Sequence, residues 1–181
     1  HKMLGPSIGC VYIRKELAEK MRPFIVGGGT VANVINGKPT FLKPPHVFEA
    51  GLQNYAGAIG LGAAVDYLNK IRLENIERHE AVLNKIMTEG AESIKNASVL
   101  GGPAEERGGI LSINIRGIKS TEAAIMLDSY GVLVRGGHHC CHNWFNSHGI
   151  DGSVRASLYL YNSESDAEAF AESVKKIARL G

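Results

Sequence analysis

From about residue 73 onward the sequence alternates between the 3.6-residue hydrophobic period of helices and the two-residue period of strands. That alternation limits the fold to helices packed on a sheet. Residues 75–95 place Ile76, His79, Val82, Leu83, Ile86 and Met87 along one helical side. Strands are predicted over 110–115, 132–135 and 154–161, and a helix over 120–130 that Gly131 stops. A closing helix carries Ala167, Phe170, Val174 and Ile177 as its apolar stripe, with Ser165 and Glu168 at the spacing of a capping box. The expected second half is a small α/β sandwich, with helices on a mostly antiparallel sheet.

The first part of the chain follows a different pattern. After the Gly5-Pro6 turn, residues 9–13 read as a strand and 14–21 as a short helix before Pro23. Residues 27–54 are expected to be irregular, and a loop of that length is usually functional or held against another chain. Over 55–71 the small residues Ala56, Ala58, Gly60, Gly62, Ala63 and Ala64 predict a helix packed closely on its neighbours. The change of pattern sets an expected boundary between a domain over 1–73 and another over 74–181.

Charge and composition remove several classes of function. The formal net charge of +2 is spread without a basic run, which argues against nucleic-acid or membrane partners. No apolar stretch approaches the roughly 20 residues a membrane span needs, and the start lacks a signal-peptide apolar region, so the expected location is cytoplasmic. Three cysteines, two of them adjacent, make a disulfide framework an unlikely use of the thiols.

The chemistry concentrates in the run Arg135-Gly136-Gly137-His138-His139-Cys140-Cys141-His142, directly after a predicted strand. A thiol beside Arg135 and three histidines is a competent nucleophile near neutral pH, with Gly136 and Gly137 letting the loop move. Cysteines are also often plain buried hydrophobes, but the polar setting argues against that here. Zinc is the other alternative, yet His138-His139 and Cys140-Cys141 do not match the usual ligand spacings, so no metal is expected.

Taken in order, these and other motifs make the chain resemble class II cysteine desulfurases and selenocysteine lyases over essentially its whole length. They are the His1-Lys2 pair with Gly5-Pro6, Gly27-Gly28-Gly29, Phe48-Glu49-Ala50-Gly51, Arg135 to Cys140, Arg155-Ala156-Ser157 and Tyr161-Asn162. The resemblance implies the C-terminal half of a fold type I transferase that uses pyridoxal 5'-phosphate. Residues 1–73 would be the last part of the large cofactor-binding domain, and 74–181 the small C-terminal α/β domain. Lys2 would hold the cofactor covalently and move protons, and His1 would donate to its phosphate. Cys140 would take sulfur from cysteine as a persulfide and leave alanine. Arg155 would clamp the substrate carboxylate, a group that a planar guanidinium fits well, with Arg135 and His139 beside it.

The chain also departs from the family pattern. The Gly-Pro turn is one glycine short, and Leu52-Gln53 stand where the family has a threonine that reaches the phosphate, leaving Gln53 or Asn54 to compensate. Cys10 and Cys141 have no role in the pattern. The family's half before the lysine, which carries the ring-stacking histidine, the aspartate on the pyridine nitrogen and most phosphate ligands, has no counterpart here. The expected partners are therefore a separate chain bearing that N-terminal half, a second such pair in a dimer, and a sulfur-acceptor protein. Selenocysteine as substrate and a non-catalytic assembly subunit are the alternatives.

Overall fold

The computed structural model describes residues 3–181, so His1 and Lys2, including the expected cofactor lysine, lie outside the described residues. The chain divides into two compact units, residues 1–70 and 71–181.

The second unit is built on a four-stranded antiparallel sheet in the order β3-β4-β6-β5. Its strands are β3 (Ala97–Leu100), β4 (Ile110–Ile115), β5 (Arg135–Gly137) and β6 (Ser153–Ser157). Alternation along β4 and β6 turns Leu111, Ile113, Ile115, Val154 and Ala156 into the core. There they meet Leu83, Met87 and Ala91 of α3 (Leu73–Glu92), Ala123 and Leu127 of α4 (Ser120–Asp128), and Phe170, Val174 and Ile177 of α6 (Glu164–Ile177). Each large side chain removed from water here contributes about 1.5–3 kcal/mol. The intervening residues Ser112, Asn114, Ser153 and Arg155 take the opposite face of the sheet. That face is polar.

Several boundaries differ from the sequence reading, each for a local reason. Val82, expected on the apolar side of α3, is exposed, and His79 instead bonds the Asn162 carbonyl at 2.8 Å. Strand β6 stops at Ser157 because its neighbour β4 begins at Ile110; one more backbone bond, from the Leu158 amide to the Gly109 carbonyl at 2.6 Å, follows before the chain leaves the sheet. The chain then turns, with the Tyr159 amide donating to Asn162 Oδ1 at 3.0 Å. The cap of α6 accordingly falls on Ser163 and Asp166, two residues before the expected Ser165 and Glu168. Only Ser163 has the extended backbone an N-cap needs, and its amide donates to Asp166 Oδ2 at 2.8 Å. Helix α4 ends at Asp128 in a Schellman motif: Gly131, at φ 77°, donates to the Asp128 carbonyl and Val132 to that of Leu127.

One polar network is sealed into this core. Asn84 of α3, fully buried, donates to the Gly108 and Ile110 carbonyls and accepts from Thr88, whose hydroxyl accepts from Arg107 Nη2 at 2.7 Å. It fastens α3 to the segment entering β4.

The first unit contains α1 (Lys15–Ala18), the hairpin β1 (Val31–Ile35) and β2 (Lys38–Phe41), and α2 (Tyr55–Ile71). Residues 9–13 form no strand, and the helix expected over 14–21 shrinks to one turn. The segment expected to be irregular holds the hairpin, closed by Asn36 and Gly37 at φ 49° and 74°, the paired left-handed residues of a type I′ turn. Within this unit Gly51 donates to the Gly28 carbonyl at 2.7 Å, so the two glycine motifs meet.

Helices α3 and α6 touch most closely at Gly90, where a Cβ would collide with the Cβ of Ala171. Gly90→Val is expected to destabilise the protein by about 1–3 kcal/mol through overpacking. Urea unfolding would show it as a lower midpoint at unchanged slope, and an unchanged midpoint would mean that the helices separate freely there.

Candidate active site

Strand β5 is three residues long, and its position is set by α4. A Cβ on Gly136 would strike the Ser120 carbonyl, so glycine is required where β5 passes the start of that helix. The strand expected over 132–135 is displaced onto Arg135–Gly137 because only there does β6 offer a ladder, with Arg135 opposite Arg155 and Gly137 opposite Ser153. Gly136 is thus a packing residue and not the loosening element the sequence suggested. Gly152, at φ 71°, completes the close approach, since a Cβ there would lie 2.8 Å from the Gly137 carbonyl oxygen.

Beyond β5 the chain reverses over four residues, His138 to Cys141, closed by the Cys141 amide donating to the His138 carbonyl at 2.8 Å. The two central residues, His139 and Cys140, have φ of 52° and 64°. Left-handed backbone at non-glycine residues costs of the order of 1–3 kcal/mol each and persists only where the surroundings enforce it. The consequence is an exposed Cys140 thiol at the tip of the turn.

The enforcement comes from below and from the side. Phe145, buried on the short helix α5 (His142–Ser147), lies edge-on to His138 with ring centroids 5.5 Å apart and beneath His139 at 6.1 Å. His138 stacks on His142 at 4.6 Å, and its Nε2 is 3.5 Å from Asp151 Oδ1. Helix α5 ends in a second Schellman motif on Gly149, at φ 64°.

His139 is fastened from the side by Ser153, which is fully buried. Its Nε2 lies 3.0 Å from both the carbonyl and the hydroxyl oxygen of Ser153. A carbonyl can only accept, so the proton sits on Nε2 and the neutral ring leaves a lone pair on Nδ1. Nδ1 is shielded from solvent and has no hydrogen-bond partner among the described residues. Burial pushes the His139 imidazole below its usual pKa; the Ser153 backbone bond opposes this, and the charges of Arg155, Arg135 and His138 add to the lowering. The charge expected from protonated histidines is therefore not supplied by His139 at neutral pH. The permanent charges acting on that imidazole are those of Arg155 and Arg135.

Those two guanidiniums belong to directly paired residues of β5 and β6, an arrangement of like charges that destabilises a sheet in isolation. Neither takes part in an ion pair among the described residues. Arg155 is half-buried, and its Nε is sealed from solvent without an acceptor among the described residues. A planar anion would resolve both the repulsion and the orphaned donor.

The remaining nominated residues lie in the first unit. Gln53 donates through Nε2 to the Glu49 and Gly51 carbonyls and accepts the Tyr55 hydroxyl at 3.0 Å. Asn54 caps α2, accepting the Gly57 amide at 2.9 Å, and donates to the Ser7 carbonyl at 3.3 Å. Both side chains are committed to holding backbone. Cys10, which has no role in the family pattern, is exposed. Among the described residues no group of three or more histidine, cysteine or acidic side chains is arranged to hold a metal, and no helix is long and apolar enough to cross a membrane. Ser153, Phe145 and Asp151 escaped the sequence reading because each acts through contacts across the sheet or turn.

The depressed His139 pKa has a consequence for stability. As pH falls below about 6.5, the unfolded chain takes up this proton before the folded one, so stability present above that pH is lost on acidification. His139→Asn retains an amide donor for Ser153 but cannot titrate. The wild-type urea midpoint is expected to fall further than the variant's between pH 7.5 and pH 5; equal falls would show that His139 is not held neutral.

The aminotransferase class-V family profile matches residues 1–170. A probable cysteine desulfurase of Halobacterium salinarum is 36% identical over 181 residues, covering 99% of this chain and 44% of that protein. One from Synechocystis is 37% identical over 182 residues, with 99% and 43% covered. Among solved structures, the apo cysteine desulfurase of Thermococcus onnurineus is similar with a TM-score of 0.88 at 36% identity, over 94% of this chain and 42% of its own. The Escherichia coli cysteine desulfurase CsdA, solved as an S-sulfonic acid, matches with a TM-score of 0.91 at 29% identity, over 99% and 45%. The chain spans less than half the length of these relatives, and its α/β fold is part of the fold type I transferase architecture. It belongs to the aminotransferase class-V family.

Proposed function

We propose that the chain provides the C-terminal half of a pyridoxal-phosphate-dependent cysteine desulfurase, with Cys140 as the sulfur acceptor. The observation that carries this reading is the exposed Cys140 thiol on an enforced turn, adjoining a strand whose Arg135 faces an unpaired Arg155. An amino acid bearing a carboxylate and a thiol meets both features. Residues 1–73 are read as the last part of the cofactor domain and 74–181 as the small domain.

The fit to the cofactor is uneven. The polar groups of Gln53 and Asn54 are already spent on backbone and would have to release it to reach a phosphate. The chain's own contribution is therefore the primary amine of Lys2, with His1 beside it, while ring and phosphate are gripped by the other half of the fold. Exposed apolar side chains in the first unit point the same way: Phe24 is 99% and Leu52 95% accessible, a state that burial against further protein would relieve. We read that half as a separate partner chain, with the pair dimerising and passing sulfur to an acceptor protein. Activity requires it.

When bound, pyridoxal phosphate supplies the electron sink that lets the substrate Cβ–Sγ bond break. Arg155, flanked by Arg135, holds the substrate carboxylate in a bidentate grip. Lys2 Nζ takes the substrate α-proton and returns it. Cys140 Sγ, as thiolate, attacks the substrate sulfur; the new S–S bond leaves Cys140 as a persulfide and the carbon skeleton as alanine. His139, neutral and fixed by Ser153, completes the substrate side beside Arg155 and Arg135.

In the assembled protein Cys140→Ala is expected to abolish alanine formation while cofactor absorbance is retained, and Lys2→Ala to abolish that absorbance. Arg155→Ala is expected to raise KM about tenfold or more, the loss of a charge-assisted bond of about 1.5–3 kcal/mol. Undiminished turnover in Cys140→Ala would overturn the assignment. Rates on cysteine and selenocysteine decide between desulfurase and selenocysteine lyase, and no turnover with either would leave an assembly subunit.

A further inference from the structure

We propose that Cys141 is a second sulfur-carrying residue, which receives the sulfane sulfur from Cys140 so that one site stores two equivalents. The inference rests on the reading of Cys140 as the sulfur acceptor. Cys141 closes the same turn through its amide, and both thiols are exposed. Its Sγ bends back to the His139 carbonyl at 3.5 Å, keeping the thiol against the turn that displays Cys140.

Two reactions are open to a thiolate beside a persulfide. Attack on the inner sulfur, Cys140 Sγ, would expel sulfide and close a disulfide between adjacent residues. The Cys140–Cys141 peptide is trans, since the one cis bond among the described residues is Pro44–Pro45. A trans peptide separates its Cα atoms by about 3.8 Å, short of the roughly 4.4–6.8 Å that disulfides adopt. Ring closure into a disulfide is therefore strained, and attack on the outer sulfur is favoured because its product contains no strained ring. In that step the Cys141 thiolate bonds to the terminal sulfur, and the Cys140 S–S bond breaks with its electron pair returning to Cys140 Sγ. The proton carried by the sulfane sulfur stays with it or exchanges with water. Thiolate and persulfide are exchanged without net oxidation or reduction. Cys140 is again a thiolate and can accept a second sulfur.

The test uses the assembled, cofactor-loaded protein with saturating cysteine and no acceptor, quenched by alkylation within the first burst. Alanine is counted, and sulfane sulfur is mapped by mass spectrometry on the peptide containing both cysteines. The wild type is expected to give about two alanines and about two sulfane sulfurs per site, one on each cysteine, and Cys141→Ser about one, on Cys140. A single equivalent on Cys140 in both proteins would overturn the proposal while leaving the sulfur-acceptor reading intact. So would a Cys140–Cys141 disulfide with released sulfide. Absence of sulfane sulfur from both cysteines would overturn the two together.

Discussion

The candidate site depends on one short piece of antiparallel pairing, between β5 and β6. Three residue pairs set everything that follows: Arg135 beside Arg155, Gly136 beside Val154, and Gly137 beside Ser153. Val154 sits in the core, so β6 is anchored by burial, and β5 is positioned by its contact with the start of α4 at Gly136. A slip of one residue would turn Arg155 into the helix layer and take Ser153 away from His139. The hydrophobic core thus selects the register, and the register places the chemistry.

The open face of the sheet explains why the polar residues are tolerated. Helices α3, α4 and α6 pack on the side carrying Leu111, Ile113, Val154 and Ala156. On the other side Ser112 is paired with Arg155, and Arg155 with Arg135. Two like charges directly paired in that position lower the stability of the sheet, and an anion between them would relieve the repulsion.

What the sequence revealed follows from how local each cause is. Helix α2 and strand β4 match their expected spans because a helical run of small residues and a clean two-residue alternation are signals carried within the element. The Asn36-Gly37 hairpin was equally local and was passed over because the surrounding segment lacks an apolar face; every residue of β1 and β2 is exposed. By contrast, the displaced β5 and the early stop of β6 depend on where a neighbouring strand begins, which no single segment records. The shift of the capping box from Ser165 to Ser163 has a similar cause, since the turn at Tyr159–Asn162 sets where the extended backbone ends. At the site, the cysteine, the histidines and both arginines were legible as residue types. The fixed tautomer of His139 was not, because Ser153 reaches it only through the sheet.

The backbone of the cysteine turn shows why such support is needed. A turn with two left-handed central residues is ordinarily built from asparagine and glycine, which adopt that conformation at little cost. Here the positions hold a histidine and a cysteine, at φ 52° and 64°. Glycine at the second position would relax the backbone but would remove the thiol. The strain is offset instead by the Ser153 bonds to His139, by Phe145 beneath both histidine rings, and by the stacking of His138 on His142. Each of these contacts acts on a residue next to the thiol and leaves the thiol itself free.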